Sequence, residues 1–173
     1  TTKIENGKYK INLEEENIVY IVEEIALSVR DAIESTGINL IIDTNTEEKI
    51  IKCDRNEIER CIINLLSNAS KFTPSGGTIT VDIEDLGEKV KITVEDTGIG
   101  IEEKYHKYIF DRFNQIVDSS METKGGSGLG LTITKHIIDM HNGEIYIESE
   151  VDKGTKFTII LPADGDIDKS IVI

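Results

Sequence analysis

Hydrophobic residues recur along this chain with two different periods, and these divide it into helices and strands. Apolar side chains three or four positions apart predict three main helices, over residues 17–36, 54–71 and 128–141. Alternating apolar and polar residues predict strands, and glycines between neighbouring strands predict hairpin turns. The strands are expected at 8–13, 38–43, 50–53, 78–85, 89–95, 144–149 and 156–161, and a short helix at 102–109.

The order of these elements favours an α+β fold. Helices and mostly antiparallel strands come in blocks, without strict alternation of strand and helix, which is typical of a two-layer α/β sandwich. We expect a mixed, mostly antiparallel sheet of about five strands with three main helices on one face and a short N-terminal strand pair. Residues 9–163 form the predicted domain, 1–8 the end of a linker from a preceding domain, and 164–173 an acidic tail.

Composition excludes several classes of protein. The 173 residues carry 33 acidic and 19 basic side chains, a net charge of -14, which argues against a nucleic-acid partner. No apolar run is long enough to cross a membrane, so we expect this piece to lie in the cytoplasm, whether or not its parent protein is anchored. Two cysteines, Cys53 and Cys61, are too few for a disulfide framework and are expected to be reduced thiols.

The predicted helix at 54–71 has two different faces. At ~100° per residue, Asn64, Asn68 and Lys71 lie within about 60° of one another. The apolar residues gather roughly 120° away and are Ile58, Ile62, Leu65, Leu66 and Ala69. Two amide oxygens and an ammonium group suit a phosphate chain with bound Mg²⁺, so the polar face is a candidate phosphate site.

A second candidate site follows the strand that ends near residue 96, in the segment Asp96-Thr97-Gly98-Ile99-Gly100. A carboxylate there can accept a hydrogen bond from the exocyclic amine of adenine, whereas the carbonyl of guanine would leave it unpaired. Gly98 and Gly100 permit the backbone to approach the adenine ring closely or to adopt a positive φ. The structural alternative is a β-turn closed by an Asx hydrogen bond.

A third candidate is the glycine-rich run Gly125-Gly126-Ser127-Gly128-Leu129-Gly130-Leu131, which leads into a predicted helix. Free N–H groups at a helix N-terminus suit phosphates. The glycine spacing does not fit a dinucleotide-binding fingerprint, and Leu131 stands where a Walker A loop needs lysine. A flexible hinge is the alternative for this run.

Five motifs in one order resemble the catalytic ATP-binding domain of sensor histidine kinases, in the gyrase, Hsp90, histidine kinase and MutL superfamily. The motifs are the asparagine helix, Asp96-x-Gly98-x-Gly100, Phe110-Asp111-Arg112-Phe113, Gly126-Ser127-Gly128-Leu129-Gly130 and Gly154-Thr155-Lys156-Phe157. The resemblance covers nearly the whole chain and implies a sandwich of the Bergerat type that binds ATP and Mg²⁺.

The resemblance implies roles for the matched residues of the asparagine helix. Asn68 is expected to hold Mg²⁺, with Asn64 beside it near the phosphates. Lys71 resembles the lysine that contacts the phosphates, and Phe72 the aromatic residue that lines the nucleotide. Asn64 and Lys71 of this helix are candidate catalytic residues. Arg112, from the motif Phe110-Asp111-Arg112-Phe113, is the third.

The resemblance also implies how the adenine end is built. Asp96 corresponds to the aspartate that reads adenine, in a loop formed by Gly98, Ile99 and Gly100. Thr155 resembles the threonine that reaches the adenine site, through a water molecule.

Residues 114–127 resemble the ATP lid of the family. The residues expected around the phosphates are Gly126, Ser127, Gly128, Leu129 and Gly130. Members often carry arginine where this chain has Gln115, and Arg112 or Lys124 can replace that phosphate contact. Phe110 and Phe113 resemble the aromatic pair that packs the lid and faces the partner domain, although both also suit a hydrophobic core.

Asn64 separates a kinase from a hydrolase. The hydrolysing branches of the superfamily are similar in placing a glutamate there, which acts as general base on water. An amide cannot take that proton at neutral pH, so we expect little hydrolysis, while phosphoryl transfer needs mainly positioning and charge neutralisation. His106, His136 and His141 lack the sequence context of the family's acceptor histidine. The acceptor is therefore expected on a separate dimerisation domain, with a response regulator downstream.

Other readings of the residues stay open. One is a hydrolysing ATPase module of the chaperone or topoisomerase type, against which Asn64 and the short chain count. Another is a nucleotide-binding or docking module without catalytic output, or a kinase that phosphorylates serine on a regulatory protein. We expect this fragment to be a monomer.

Overall fold

A computed structural model describes residues 10–111 and 128–164 of the chain, with the backbone alone for 128–130. Within these residues the strands are β1 (Glu14–Asn17), β2 (Asn39–Thr44), β3 (Ile50–Cys53), β4 (Thr78–Asp85), β5 (Lys89–Asp96), β6 (Glu144–Glu150) and β7 (Gly154–Pro162). The helices are α1 (Ile18–Glu34), α2 (Arg55–Phe72), α3 (Glu103–His106) and α4 (Gly128–Met140). Most of these bounds lie within one or two residues of the predicted ones.

The strands form a five-stranded sheet of order β2-β4-β5-β7-β6 and a separate pair, β1 with β3. β2 runs parallel to β4, and the other neighbours in the large sheet are antiparallel. Burial alternates along β4, where Ile79, Val81 and Ile83 are buried between half-exposed polar residues. α2 packs against both α1 and α4, and all three helices pack against this sheet, so the predicted α+β sandwich is confirmed.

α2 has one apolar side, which is buried in the core, and one polar side. The buried residues of the helix include Ile58, Cys61, Ile62, Leu65, Leu66 and Ala69. On the other side Asn64 and Asn68 are half-buried and Lys71 is exposed. Lys71 lies in the last turn, where the helix dipole favours a positive charge. The two predicted faces of this helix are therefore confirmed.

The N-terminal strand differs from the sequence-based prediction. It was expected at 8–13, but residues 10–13 are not a strand, and β1 forms at Glu14–Asn17 instead. Pairing decides this position, since Glu14 lies opposite Cys53 and Asn17 opposite Ile50 in an antiparallel register. A run of three glutamates has low strand propensity, so the partner strand overrides the local signal.

Two other elements differ in extent. The helix predicted at 102–109 is the single turn α3, followed by turns up to Phe110. α4 ends at Met140, because Asn142 has a φ of +57° and the N–H of Gly143 donates to the carbonyl oxygen of Ile138 at 2.9 Å. A left-handed residue followed by such a bond is a common way to end a helix.

Asp54 joins three distant parts of the chain. Its Oδ2 accepts from the N–H of Asn12 at 2.8 Å, and its Oδ1 accepts from the N–H of Glu57 at 3.3 Å as the N-cap of α2. Its own N–H donates to Nε2 of His141 at 2.9 Å, while Nδ1–H of that ring donates to the carbonyl oxygen of Ile137 at 2.8 Å. The imidazole is therefore neutral, in keeping with burial, which lowers its pKa.

Both cysteines are buried free thiols, as expected, and burial raises the pKa of Cys53 to about 12 and that of Cys61 as well. Over the described ranges, no group of three His, Cys, Asp or Glu side chains is arranged to hold a metal ion. None of the helices in those same ranges combines the length and apolarity that a membrane crossing requires.

We predict that Asp54→Ala lowers the free energy of unfolding by about 2 kcal/mol, because it removes the cap of α2 and the acceptor for the Asn12 N–H from a buried junction. Urea unfolding followed by circular dichroism measures this loss. Asp31→Ala is the control, since Asp31 is exposed on α1. Equal stabilities of the two variants would contradict the role of Asp54.

Candidate nucleotide-binding site

The buried carboxylate of Asp96 lies at the end of β5, directly opposite Thr155 on the neighbouring strand β7. Asp96 is only 7% exposed. Its Oδ1 accepts from the N–H of Gly98 at 2.8 Å and from the N–H of Thr155 at 3.2 Å. The first bond is the Asx turn of the structural alternative, but the second ties the loop to β7, which a simple turn does not require.

The other oxygen of this carboxylate is available to a ligand. Among the described residues, no donor forms a hydrogen bond with Oδ2 of Asp96. Burial raises the pKa of Asp96 to about 6, and the N–H groups of Gly98 and Thr155 oppose that rise. At neutral pH the group is therefore mostly ionised, and it presents one acceptor oxygen in a largely buried position.

Gly98 brings the loop after β5 into contact with the end of α2. A β-carbon at Gly98 would overlap the carbonyl oxygen of Phe72 and lie 2.9 Å from Oδ1 of Asp96. The same carbonyl oxygen accepts from the N–H of Ile99 at 3.0 Å. Close approach is thus a reason for this glycine, but the neighbour it approaches is the α2 backbone, and approach to a nucleotide ring stays a prediction.

Gly100 has the positive φ that was expected for a glycine of this loop. It has a φ of +75°, and a side chain there would overlap the carbonyl oxygen of Glu150. The carbonyl oxygen of Ile99 accepts from the N–H of Asp152 at 2.8 Å, which joins the loop to the hairpin between β6 and β7.

Ser149 connects three segments near Asp96: the loop after β5, Gly154 and Thr155. Its Oγ accepts from the N–H of Ile101 at 2.7 Å and donates to the carbonyl oxygen of Gly154 at 2.9 Å. It also lies 2.8 Å from Oγ1 of Thr155. Because Ser149 has one proton and gives it to Gly154, the hydroxyl of Thr155 donates to Ser149 and keeps its lone pairs for the site.

Sequence reasoning missed Ser149, because no local motif marks it. Only the register, in which Ser149 lies opposite Thr155, reveals the contact. Gly154, next to it, has a φ of +120°, and a β-carbon there would overlap the carbonyl oxygen of Asp96. This glycine lets β7 approach the backbone of Asp96 closely.

The polar face of α2 forms the other end of the site. Asn64 donates from Nδ2 to Oγ1 of Thr134 on α4 at 3.4 Å. Asn68 is half-buried, and within the described residues its amide makes no hydrogen bond. Phe72, at the end of the same helix, is half-buried beside the Asp96 loop. The structure therefore places the loop of Asp96 against the last residue of α2, the helix that carries the predicted phosphate residues.

The glycine run and the lid are described only in part. α4 begins at Gly128, so Gly128, Leu129 and Gly130 form its first turn, in agreement with the predicted helix start. The other residues expected at this end lie outside the described residues, and their roles stay predictions: Arg112, Phe113, Gln115, Lys124, Gly126, Ser127 and the rest of 114–127.

Phe110 packs inward in the structure. Its ring meets that of Phe157 edge to face, with the centroids 6.1 Å apart and the planes at 68°. It is half-buried against the hydrophobic core. A role for this residue at a partner domain stays a prediction.

Known proteins share this arrangement. The family model described as "Histidine kinase-, DNA gyrase B-, and HSP90-like ATPase" matches residues 53–165. Hybrid signal transduction histidine kinase D of Dictyostelium discoideum is 35% identical over 98% of this chain and 11% of its own length. Sensor histidine kinase WalK of Bacillus subtilis is 32% identical over 93% of this chain and 26% of its own length.

A solved structure gives the same picture. The nucleotide-free catalytic domain of histidine kinase ThkA superposes with a TM-score of 0.79 at 29% identity, covering 90% of this chain and 98% of that one. The chain therefore belongs to the family of histidine kinase-, DNA gyrase B- and HSP90-like ATPases. Within it, the chain is the ATP-binding catalytic domain of a sensor histidine kinase, as its motifs predict.

We predict that Asp96→Asn changes the pH dependence of stability. A carboxyl with a folded pKa near 6 and an ordinary pKa of 3.8 favours the folded state most below pH 3.8. This contribution is lost as the pH rises through about 6. The variant cannot ionise, so relative to the natural protein it should gain on the order of 2 kcal/mol between pH 4 and pH 8.

Urea unfolding at both pH values measures this gain. Asp31→Asn, at an exposed position, is the control and should show no such change. A constant difference between Asp96→Asn and the natural protein at both pH values would contradict the assigned pKa.

Proposed function

We propose that this chain binds Mg²⁺-ATP and transfers the γ-phosphoryl group to a histidine on a separate dimerisation domain, as part of two-component signalling. The observation that carries the proposal is the buried Asp96 carboxylate, which has one oxygen available to a ligand. The loop after Asp96 contacts the carbonyl oxygen of Phe72, the last residue of the helix that carries the polar face. The names of the relatives support the same activity, although the chain spans only 11% and 26% of the two relatives named above.

Asp96 gives the site its preference for adenine. Oδ2 accepts a hydrogen bond from the 6-amino group, and its position is fixed because Oδ1 is held by two backbone N–H groups. The 6-carbonyl of guanine would face this oxygen with no proton between them, which leaves a buried carboxylate unpaired. The lone pairs of Thr155 accept from a water molecule on the same edge of the base.

The residues of α2 fit a metal-bound triphosphate. Asn68 offers an amide oxygen, a ligand type that suits Mg²⁺, and exposed Lys71 offers a positive charge one turn away. When bound, Mg²⁺ would supply neutralisation of the phosphate charge during transfer. The lysine positions the phosphates electrostatically, and the first turn of α4 offers backbone N–H groups.

The transfer step needs a nucleophile from outside the described site. Both ring nitrogens of His141 are hydrogen-bonded and the residue is 2% exposed, so it cannot attack a phosphate. Nε2–H of His106 donates to the carbonyl oxygen of Ile101 at 2.9 Å. An acceptor histidine on another domain fits this arrangement, and a response regulator would take the phosphoryl group next. A solved structure of ThkA, a histidine kinase 28% identical to this chain, holds it in complex with response regulator TrrA and supports such a partner.

Transfer is tested by incubating the chain with γ-labelled ATP, Mg²⁺ and the dimerisation domain of its parent protein. We expect label on the dimerisation domain that is labile in acid and stable in base, as phosphohistidine is. Asp96→Asn should bind ATP at least about tenfold more weakly, because it replaces a charged acceptor. Acid-stable label would point to a serine acceptor, and unchanged affinity of Asp96→Asn would refute the adenine assignment.

We predict that Asn64→Glu raises the rate of ATP hydrolysis by the chain alone by about 10²-fold, because a carboxylate at this position can act as general base. Phosphate release under steady-state conditions measures the rate. Asn64→Gln is the matched control, since it has the length of glutamate without the base. Equal rates for the two variants, or steady turnover by the natural chain, would contradict the role of Asn64.

A further inference from the structure

Thr134 is a fully buried polar residue on α4 that contacts α2 through both its side chain and its backbone. It is 0% exposed. Its Oγ1 accepts from Nδ2 of Asn64 at 3.4 Å, and its carbonyl oxygen lies 3.9 Å from the donor Sγ of Cys61. Cys61 and Asn64 are one turn apart on α2, so a single residue of α4 contacts two successive turns of α2.

In the structure the Asn64 amide meets α4 with its nitrogen end. An asparagine side chain has a donor end, Nδ2, and an acceptor end, Oδ1, and rotation by 180° exchanges them. With Nδ2 directed at Thr134, Oδ1 is the end directed away from α4. A phosphate group repels a carbonyl oxygen, whereas a metal ion and its bound water molecules attract one.

We propose that Thr134 is a positioning residue for Asn64, which holds the amide so that Oδ1 serves the metal-bound end of the nucleotide. The inference rests on the proposed function, since it requires Mg²⁺-ATP at this face of α2. It adds a residue 70 positions from Asn64 in the chain, on the helix that begins at the glycine run.

Valine is the test substitution, because it keeps the branched shape of threonine and removes the acceptor oxygen. We expect Thr134→Val to weaken Mg²⁺-ATP binding by about five- to tenfold, the range of one lost hydrogen bond. Binding of adenosine, which has no phosphates, should stay within about twofold of the natural chain. Thr134→Ser keeps the hydroxyl and should bind both ligands as the natural chain does.

Calorimetric titration of the whole chain with Mg²⁺-ATP and with adenosine gives these affinities. A double-mutant cycle then asks whether Thr134 acts through Asn64: in an Asn64→Ala background, Thr134→Val should have no further effect. A general packing defect would instead weaken adenosine binding too, persist in that background, or appear in Thr134→Ser.

The outcomes separate this inference from the proposed function. If the natural chain binds adenosine but gains no affinity from Mg²⁺ and phosphates, the proposed function fails and this inference with it. If the natural chain binds Mg²⁺-ATP and Thr134→Val binds it equally well, only the role of Thr134 is overturned. Selective loss of Mg²⁺-ATP affinity in Thr134→Val, absent when Asn64 is already alanine, supports the proposal.

Discussion

The rest of the site depends on one buried carboxylate that holds two backbone segments at the shared end of β5 and β7. Oδ1 of Asp96 binds the N–H groups of Gly98, in the loop after β5, and of Thr155, on β7. This bond pair fixes the loop that follows β5, and the loop then reaches the carbonyl oxygen of Phe72. Burial makes the arrangement demanding, because an ionised group away from water must be fully compensated by its partners.

α2 extends this constraint from the Asp96 loop to the residues expected to meet phosphates. Its apolar side is part of the hydrophobic core, so its polar side cannot rotate without disturbing the packing of the sandwich. Asp54 caps its first turn, and Ile99 contacts its last residue. The side chains expected to meet phosphates and metal are therefore held by a helix fixed at both ends, which is the kind of rigid support that a binding site needs.

Much of the fold could be predicted from the sequence, because elements that bury one face require apolar residues at the period of a helix or a strand. The faces of α2 and the hairpin of β4 and β5 follow directly from that pattern. β1 could not be predicted, since its glutamates carry no strand signal and its register comes from β3. Strand pairing over long separations is where local reasoning fails.

The site divides in the same way. Asp96, Gly98 and the asparagines are recognisable because they sit in short motifs with a chemical reason. Ser149 and Thr134 are not, because each has a partner far away in the chain: Ile101 lies 48 positions from Ser149, and Asn64 lies 70 positions from Thr134. A hydroxyl that holds another residue in place has no local signature, and only the packed structure shows what it touches.

The junction at Asp54 has a consequence for what counts as a module in this chain. The recognisable family signature covers residues 53–165, but Asn12 binds Asp54, β2 pairs with β4, and α1 packs against α2. In a fragment limited to residues 53–165, β4 would be an unpaired edge strand of the sheet. The core side of α2 would also lose its contact with α1. The folded domain is thus larger than the segment that the family signature matches. The motifs of the candidate site depend for their stability on a preceding segment that contains none of them.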